Sequence, residues 1–142
     1  MGNRAVITTR ENFENNGIGI YLHWNGGRES VEAFLAFCKA KGFRKPENDN
    51  YGFAYLTTVI GNFFADGLSI GIDKINKLDC NIGDNGVYII ENWEVVDRKY
   101  FKGTERTAYS FEFFEAINGA QPIQMRLSEE EIKSVLEGKN NG

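Results

Sequence analysis

The sequence predicts an α+β fold, a single domain in which a mainly antiparallel sheet packs against two central helices and is followed by a C-terminal helix. Several short runs alternate apolar and polar residues with period two, while two longer segments repeat apolar residues at helical spacing. Glycine turns separate these segments, with 16 Gly and only 2 Pro in the chain. The length of 142 residues corresponds to one domain. We therefore assign residues 1–138 to that domain and residues 139–142 to a disordered tail.

Three short strands are predicted in the first half of the chain. Residues 4–9 form a β-branched run, and residues 18–24 alternate apolar and polar side chains after the turn signal at Asn16 and Gly17. These two strands are expected to pair as a hairpin. Residues 68–72 alternate in the same way and predict a third strand.

Two helices are predicted between the second and third strands. From Ser30 the apolar residues, Cys38 among them, recur at helical spacing, and Gly42 takes the position just beyond the helix end. Residues 51–65 predict the second helix. Gly61 inside it should cost about 1 kcal/mol relative to Ala, so we expect a neighbouring backbone to approach closely there.

The second half of the chain begins with a long strand at residues 87–96. Glu91 falls on the apolar face of that strand, which predicts either a bulge that resets the register or a partly buried carboxylate. Residues 98–110 predict a further hairpin that turns at Lys102 and Gly103. The sheet is therefore expected to continue through most of this region.

The C-terminal part of the chain is predicted to be helical. Residues 111–118 fit a strand or a short helix, and the helix is favoured by Ser110 as N-cap and Gly119 as the residue beyond its end. Residues 127–137 predict the terminal helix, because a Ser-x-x-Glu capping box begins at Ser128.

The composition argues against several classes of function. With a net charge of −4 the chain lacks a basic surplus, so no direct DNA binding is expected. No apolar stretch reaches the roughly 18 residues of a membrane span, and the N-terminus lacks the apolar segment of a signal peptide. Cys38 and Cys80 have no partner motif, which favours a reducing compartment and hence the cytoplasm.

Catalytic and metal-binding residues are scarce. His23 is the only histidine, and one histidine with two distant cysteines does not make a zinc site. Residues 79–86 have the Asp and Asn content of a calcium loop, but Ile90 stands where the bidentate Glu belongs. We therefore predict no catalytic residue, no metal and no cofactor, and we interpret His23 as a structural or ligand-contacting group.

A first candidate ligand site lies at the junction between the second strand and the first helix. It comprises His23, Trp24, Asn25, Gly26, Gly27 and Arg28. Free N–H groups at a helix start, beside a cation, suit a phosphate or carboxylate. The alternative is a tight turn whose glycines are needed for positive φ.

A second candidate site interleaves cations with aromatic residues. It comprises Arg98, Lys99, Tyr100 and Arg106. Such a composition suits a nucleobase stacked on a ring with its phosphates on the cations. A solvated hairpin without any ligand has the same composition, and both interpretations stay open.

Three segments carry a resemblance to a known group of proteins. Residues 4–9, residues 21–27 with the run Tyr-Leu-His-Trp-Asn-Gly-Gly, and residues 83–93 are similar to small uncharacterised proteins of bacteriophages and prophages. The resemblance implies a context, the cytoplasm of an infected bacterium. Small acidic phage proteins without enzymatic activity often inhibit bacterial defence, by binding a defence protein or by sequestering its nucleotide signal.

We therefore expect an anti-defence binding protein, not an enzyme, that sequesters a small nucleotide-derived immune signal of the cyclic nucleotide or cyclic ADP-ribose type. Trp24 or Tyr100 would stack on the base, and Asn25 with the amides of Gly26 and Gly27 would add hydrogen bonds. The cations that would meet the phosphates are Arg28, Arg98, Lys99 or Arg106. A homo-oligomer is expected, because a site between protomers encloses a ligand better than one small domain. The alternatives are a protein–protein inhibitor of a host defence nuclease and a small hydrolase that uses His23.

Overall fold

The computed structural model describes residues 2–65, 69–81, 84–103 and 109–141. The strands are β1 Ala5–Thr8, β2 Ile18–Leu22, β3 Ile70–Lys74, β4 Val87–Glu91 and β5 Glu94–Lys99. The helices are α1 Arg10–Glu14, α2 Arg28–Ala40, α3 Asn50–Phe64, α4 Phe111–Ala120 and α5 Glu129–Asn141. The predicted α+β class is confirmed.

The five strands form one sheet in the order β3-β2-β1-β4-β5. β1 and β2 pair antiparallel, as the sequence predicts, although the one-turn helix α1 connects them. The pairs β2–β3 and β4–β5 are also antiparallel, while β1 and β4 run parallel. β3 and β5 are therefore the outermost strands among the described residues.

The helices α2, α3 and α4 cover one face of the sheet and enclose the main core. Side chains such as Ile7, Phe34 and Leu56 are fully buried between the two layers. Each buried side chain of this size contributes about 1.5–3 kcal/mol relative to exposure. Cys38 belongs to this core, as its place on the apolar face of the predicted helix indicates.

The opposite face of the sheet carries a smaller apolar cluster. Val6, Val87 and Ile89 are buried there against Ile75, and Phe13 of α1 packs on them. Because α1 has only five residues, this cover is small. The helix layer on the other face therefore covers more of the sheet.

The predicted ends of the helices are largely confirmed. Gly42 has φ +71° just beyond α2, as expected of a residue that follows a helix. The Ser110 hydroxyl accepts a hydrogen bond from the Phe113 amide and begins α4. The Ser128 hydroxyl accepts from the Glu131 amide at 3.1 Å, and the Glu131 carboxylate accepts from the Ser128 amide at 2.8 Å. This reciprocal pair is the predicted capping box.

The predicted single strand at residues 87–96 is wrong, because a two-residue turn at Asn92 and Trp93 divides it into β4 and β5. Both turn residues have positive φ, 52° and 62°. Such turns match the twist of a hairpin, but they normally carry Asn-Gly. Trp93 stands at the position of that glycine, so the sequence does not show the usual pattern of a hairpin turn. Glu91 ends β4 and is exposed, and the register shifts between Ile89 and Ile90 as a bulge would make it do.

Three further predictions differ from the structure. No described atom outside the helix lies within 4 Å of a Cβ placed at Gly61, so no close approach explains that glycine. Gly119 lies inside α4, which continues to Ala120. β5 ends at Lys99 and residues 101–103 form no strand, while residues 104–108 of the expected hairpin lie outside the described residues.

The terminal helix α5 continues to Asn141, into the segment for which the sequence predicts a tail. Over the described ranges, none of the helices is long and apolar enough to cross a membrane.

Candidate ligand-binding cleft

A cleft of about 370 Å³ lies between helix α2 and the edge strand β5. Its lining consists of Arg28, Glu32, Leu35, Ala36, Lys39, Trp93, Glu94, Val95 and Tyr109. We call it the α2–β5 cleft. Its size falls within the range of small-molecule sites, which are generally a few hundred Å³.

Helix α2 forms one wall of the cleft, and helical spacing puts its lining residues on one face. Residues four and seven or eight apart along a helix share a face, which brings Arg28, Glu32 and Leu35 into line. The Arg28 guanidinium donates to the Glu32 carboxylate at 3.1 Å. Apolar Leu35 lies below this pair and belongs to the core. The wall therefore combines a charged rim with an apolar floor.

The first turn of α2 lies at the Arg28 end of the cleft. Gly27 is its N-cap, in extended conformation, and makes no side-chain hydrogen bond to the first-turn amides. Gly26 must be glycine, because a Cβ there would lie 2.5 Å from the Asn3 carbonyl oxygen. The positive φ of this turn is at Asn25, 56°, and not at either glycine. A turn and a helix start therefore coincide here, but the prediction that the two glycines supply the positive φ is wrong.

Trp93 forms part of the strand side of the cleft and has an unusual backbone. Its φ of 62° lies in the left-handed region, which costs a non-glycine residue roughly 1–2 kcal/mol. The side chain is only 4% exposed, and its indole N–H donates to the Phe43 carbonyl at 3.1 Å. Burial and this hydrogen bond hold the residue in place. Strained residues of this kind are concentrated at binding sites.

Both signs of charge meet in the cleft. Lys39 of α2 lies 4.0 Å from the Glu94 carboxylate of β5, with 55% and 65% of the side chains exposed, so this surface pair contributes little to stability. Tyr109 adds a half-buried ring. Burial raises the pKa of its phenol, and the charge of Glu32 raises it further. The cleft thus offers two cations, two carboxylates and two aromatic side chains.

Arg98 of the second predicted site lies close to the first predicted site. Its guanidinium stacks on the Tyr88 ring at 3.9 Å and on the Phe101 ring at 4.0 Å, and it donates to the Asn85 carbonyl at 2.7 Å. The Tyr88 hydroxyl donates to the Gly26 carbonyl at 2.7 Å. Tyr88 therefore connects the two predicted segments, while Arg98 holds structural contacts.

The other residues of the second predicted segment point elsewhere. Lys99 lies 3.3 Å from the Asp97 carboxylate, which Arg10 also reaches. Tyr100 is 52% exposed and lines a separate groove of about 410 Å³ with Lys102. Arg106 lies outside the described residues. Arg98, Lys99 and Tyr100, the described residues of this segment, therefore do not line the α2–β5 cleft.

His23 and Trp24 also lie apart from the lining of the cleft. The Nδ1 atom of His23 is 3.1 Å from the Tyr21 hydroxyl, and its ring meets the Trp24 ring edge-on at 5.1 Å. Trp24 is 46% exposed. Within the part of the chain that is described, the His23 ring makes no hydrogen bond to a carboxylate, although its charge interacts with that of Asp84.

Several residues that line the cleft are not among the ligand-binding residues that the sequence predicts. They are Glu32, Lys39, Trp93, Glu94 and Tyr109. Lys39 carries the pattern of a cation in the last helical turn, and Glu94 follows a turn that was not recognised. Only the packing of α2 beside β5 brings these distant residues together.

The polar lining of the cleft consists of charged side chains and a tyrosine. Over the described ranges, no group of three or more His, Cys, Asp or Glu side chains is placed to hold a metal ion. Comparisons of the chain with protein-family models, curated proteins and solved structures found no match. The residues of the cleft are thus the basis on which its ligand is inferred.

Proposed function

We propose that the protein binds a small nucleotide-type ligand in the α2–β5 cleft and acts by sequestering it. In the phage context, this ligand would be a nucleotide-derived immune signal of the cyclic nucleotide or cyclic ADP-ribose type. The observation that carries the proposal is the meeting of cations, carboxylates and rings in one cleft of about 370 Å³. A nucleotide has a complementary group for each of them.

The Arg28 end of the cleft suits the phosphate. Arg28 stands in the first turn of α2, whose amides receive no side-chain cap from Gly27. Of this turn, Arg28 lines the cleft, and a guanidinium binds an anion through charge-assisted hydrogen bonds. Arg28 is about three-quarters buried, at 23% side-chain exposure, and pairs with Glu32. A bound phosphate would share or replace Glu32 as its partner.

The remaining lining suits a nucleoside. Tyr109 supplies a partly exposed ring, on which a stacked base would gain about 1–3 kcal/mol, while the buried Trp93 closes the strand side of the cleft. Glu32 and Glu94 accept hydrogen bonds from ribose hydroxyls or amino groups of a base. Inorganic phosphate would use only the Arg28 end and would leave the ring of Tyr109 and the carboxylate of Glu94 without a complementary group. The lining therefore favours a whole nucleotide over a bare anion.

The size of the cleft supports a ligand with one nucleotide unit in each protomer. A cleft of about 370 Å³ is at the small end of ligand sites. A cyclic dinucleotide would need a second wall, which a second protomer of the expected homo-oligomer would supply. Ligand size and oligomeric state are therefore linked in this proposal.

The direct test is retention of a ligand. The purified protein is incubated with mononucleotides, cyclic dinucleotides and cyclic ADP-ribose isomers, separated from free ligand and denatured, and the released compounds are identified by mass. Arg28→Gln should weaken retention about tenfold or more, because a charge-assisted hydrogen bond is lost. Lys133→Ala, which removes an exposed cation from α5, is the matched control and should leave retention unchanged.

Two results would refute the proposal. One is that the parent protein retains none of these compounds, and the other is that Arg28→Gln and Lys133→Ala retain them equally. Stable binding of a host defence protein that persists in both Arg28→Gln and Arg98→Gln, without nucleotide, would favour the protein–protein inhibitor instead.

A further inference from the structure

In each of the two outermost strands of the sheet, an aspartate side chain accepts a hydrogen bond from the backbone amide of the next residue. β3 and β5 end the sheet, and among the described residues no strand lies beyond either one. An outermost strand presents unpaired N–H and C=O groups, which can pair with the same edge of another copy. Which groups point outward follows from the hydrogen bonds on the inner side.

On β3, every second residue directs its backbone toward β2. The His23 amide donates to the Ser69 carbonyl at 2.8 Å, and the Ile75 amide donates to the Gly17 carbonyl at 2.8 Å. In antiparallel pairing these hydrogen-bonded positions alternate with positions whose backbone groups face away. Residues 70, 72 and 74 therefore point their N–H and C=O groups toward the free edge.

One of these outward amides is already occupied. The Lys74 N–H donates to the carboxylate Oδ1 of the preceding residue, Asp73, at 2.8 Å. Asp73 is exposed and has no cross-strand residue beyond it among the described strands. Its side chain thus takes the place that a carbonyl of an added strand would need.

β5 shows the same arrangement at the opposite end of the sheet. The Val6 amide donates to the Gly86 carbonyl at 3.0 Å, so alternation along β4 directs the Tyr88 backbone toward β1. Arg98, which pairs with Tyr88, therefore directs its amide to the free edge. That amide donates to Oδ1 of Asp97, the preceding residue, at 2.8 Å.

We propose that Asp73 and Asp97 act as edge guards, each occupying an outward amide so that the sheet does not extend into a second copy of the chain. For β3 the blocked contact is an antiparallel pairing about Ile72, in which Lys74 of one copy faces Ile70 of the other. Ile72 is 51% exposed and Ile18 is 40% exposed, so apolar contact would otherwise favour such pairing.

The test uses Asp73, since in the described structure its side chain bonds only this amide. Asp73→Ala frees the Lys74 amide in each copy, which allows two more hydrogen bonds in a symmetric pair. We expect self-association about tenfold tighter than that of the parent, measured by sedimentation velocity over a range of concentrations. Asp73→Asn keeps an acceptor oxygen and should behave as the parent.

A second measurement separates edge pairing from association elsewhere. In Asp73→Ala, hydrogen exchange at the Ile72 and Lys74 amides should slow as protein concentration rises, while circular dichroism shows that the fold is retained. The inference is overturned if folded Asp73→Ala associates no more than the parent. It is also overturned if Asp73→Asn associates as strongly as Asp73→Ala, since loss of charge alone would then account for the effect.

Discussion

Two aromatic residues at nearly the same backbone angle allow strain to be separated from burial. Trp93 has φ 62° and Tyr100 has φ 59°, but the first is 4% exposed and the second 52% exposed. We predict that Trp93→Gly destabilises the protein and that Tyr100→Gly does not. The backbone change is the same in both variants, so burial decides the difference.

The expected changes in the free energy of unfolding follow from three contributions. Glycine relieves about 1–2 kcal/mol of left-handed strain at either position, and its flexibility in the unfolded chain costs about 0.5–1 kcal/mol. Trp93→Gly also loses a buried ring, which costs about 3–5 kcal/mol and includes the hydrogen bond to Phe43. The net result is a loss of about 1.5–5 kcal/mol for Trp93→Gly and a stabilisation between 0 and about 1.5 kcal/mol for Tyr100→Gly.

Urea unfolding followed by circular dichroism at a helical wavelength measures both variants without relying on tryptophan fluorescence. With a slope of about 1–3 kcal/mol per molar urea, Trp93→Gly should lower the midpoint by about 1 M or more. Equal midpoints for the two variants would refute the reasoning, because strain would then outweigh burial at Trp93. A lower midpoint for Tyr100→Gly than for the parent would also contradict it.

Two further predictions concern the surroundings of the cleft. Tyr88→Phe leaves the buried Gly26 carbonyl without its donor and should lower the free energy of unfolding by about 1–3 kcal/mol in urea titrations, whereas the exposed control Tyr51→Phe should change it by less than about 0.5 kcal/mol. The hydrogen bond from Arg4 lowers the pKa of Asp84 below its ordinary 3.8. A carboxyl group whose pKa is lower in the folded than in the unfolded protein stabilises the fold above the unfolded pKa, and this stabilisation is lost as pH falls through the folded pKa. Asp84→Asn should therefore flatten the decline of the free energy of unfolding below about pH 4. Unfolding titrations at several pH values measure that slope, and an unchanged slope would contradict the prediction.

Much of the helical structure could be predicted because its causes are local. The apolar spacing from Ser30, the glycine at position 42 and the capping box at Ser128 each act within a few residues along the chain. The hairpin turn could not be predicted in the same way, because its cause is not local. Trp93 occupies a position that usually carries glycine. Its burial and the hydrogen bond that its indole N–H donates to the Phe43 carbonyl hold it there.

The candidate site was only partly predictable. Arg28 was identified from the glycine turn before a helix, and it does line the cleft. Lys39, Glu94 and Tyr109 have no shared sequence pattern, because they come from the end of α2, the start of β5 and the residues before α4. Arg98 fitted a ligand-binding pattern, yet its charge is engaged by two rings and a carbonyl.

The sequence by itself determined the α+β class, the main helices with most of their ends, and the low content of histidine and cysteine, since these depend on composition and on short-range periodicity. The tertiary structure decided the parallel pairing of β1 with β4, the division of residues 87–96 into two strands and the lining of the α2–β5 cleft. Each of these depends on contacts between residues far apart in the chain, and no local pattern records which distant residues will meet.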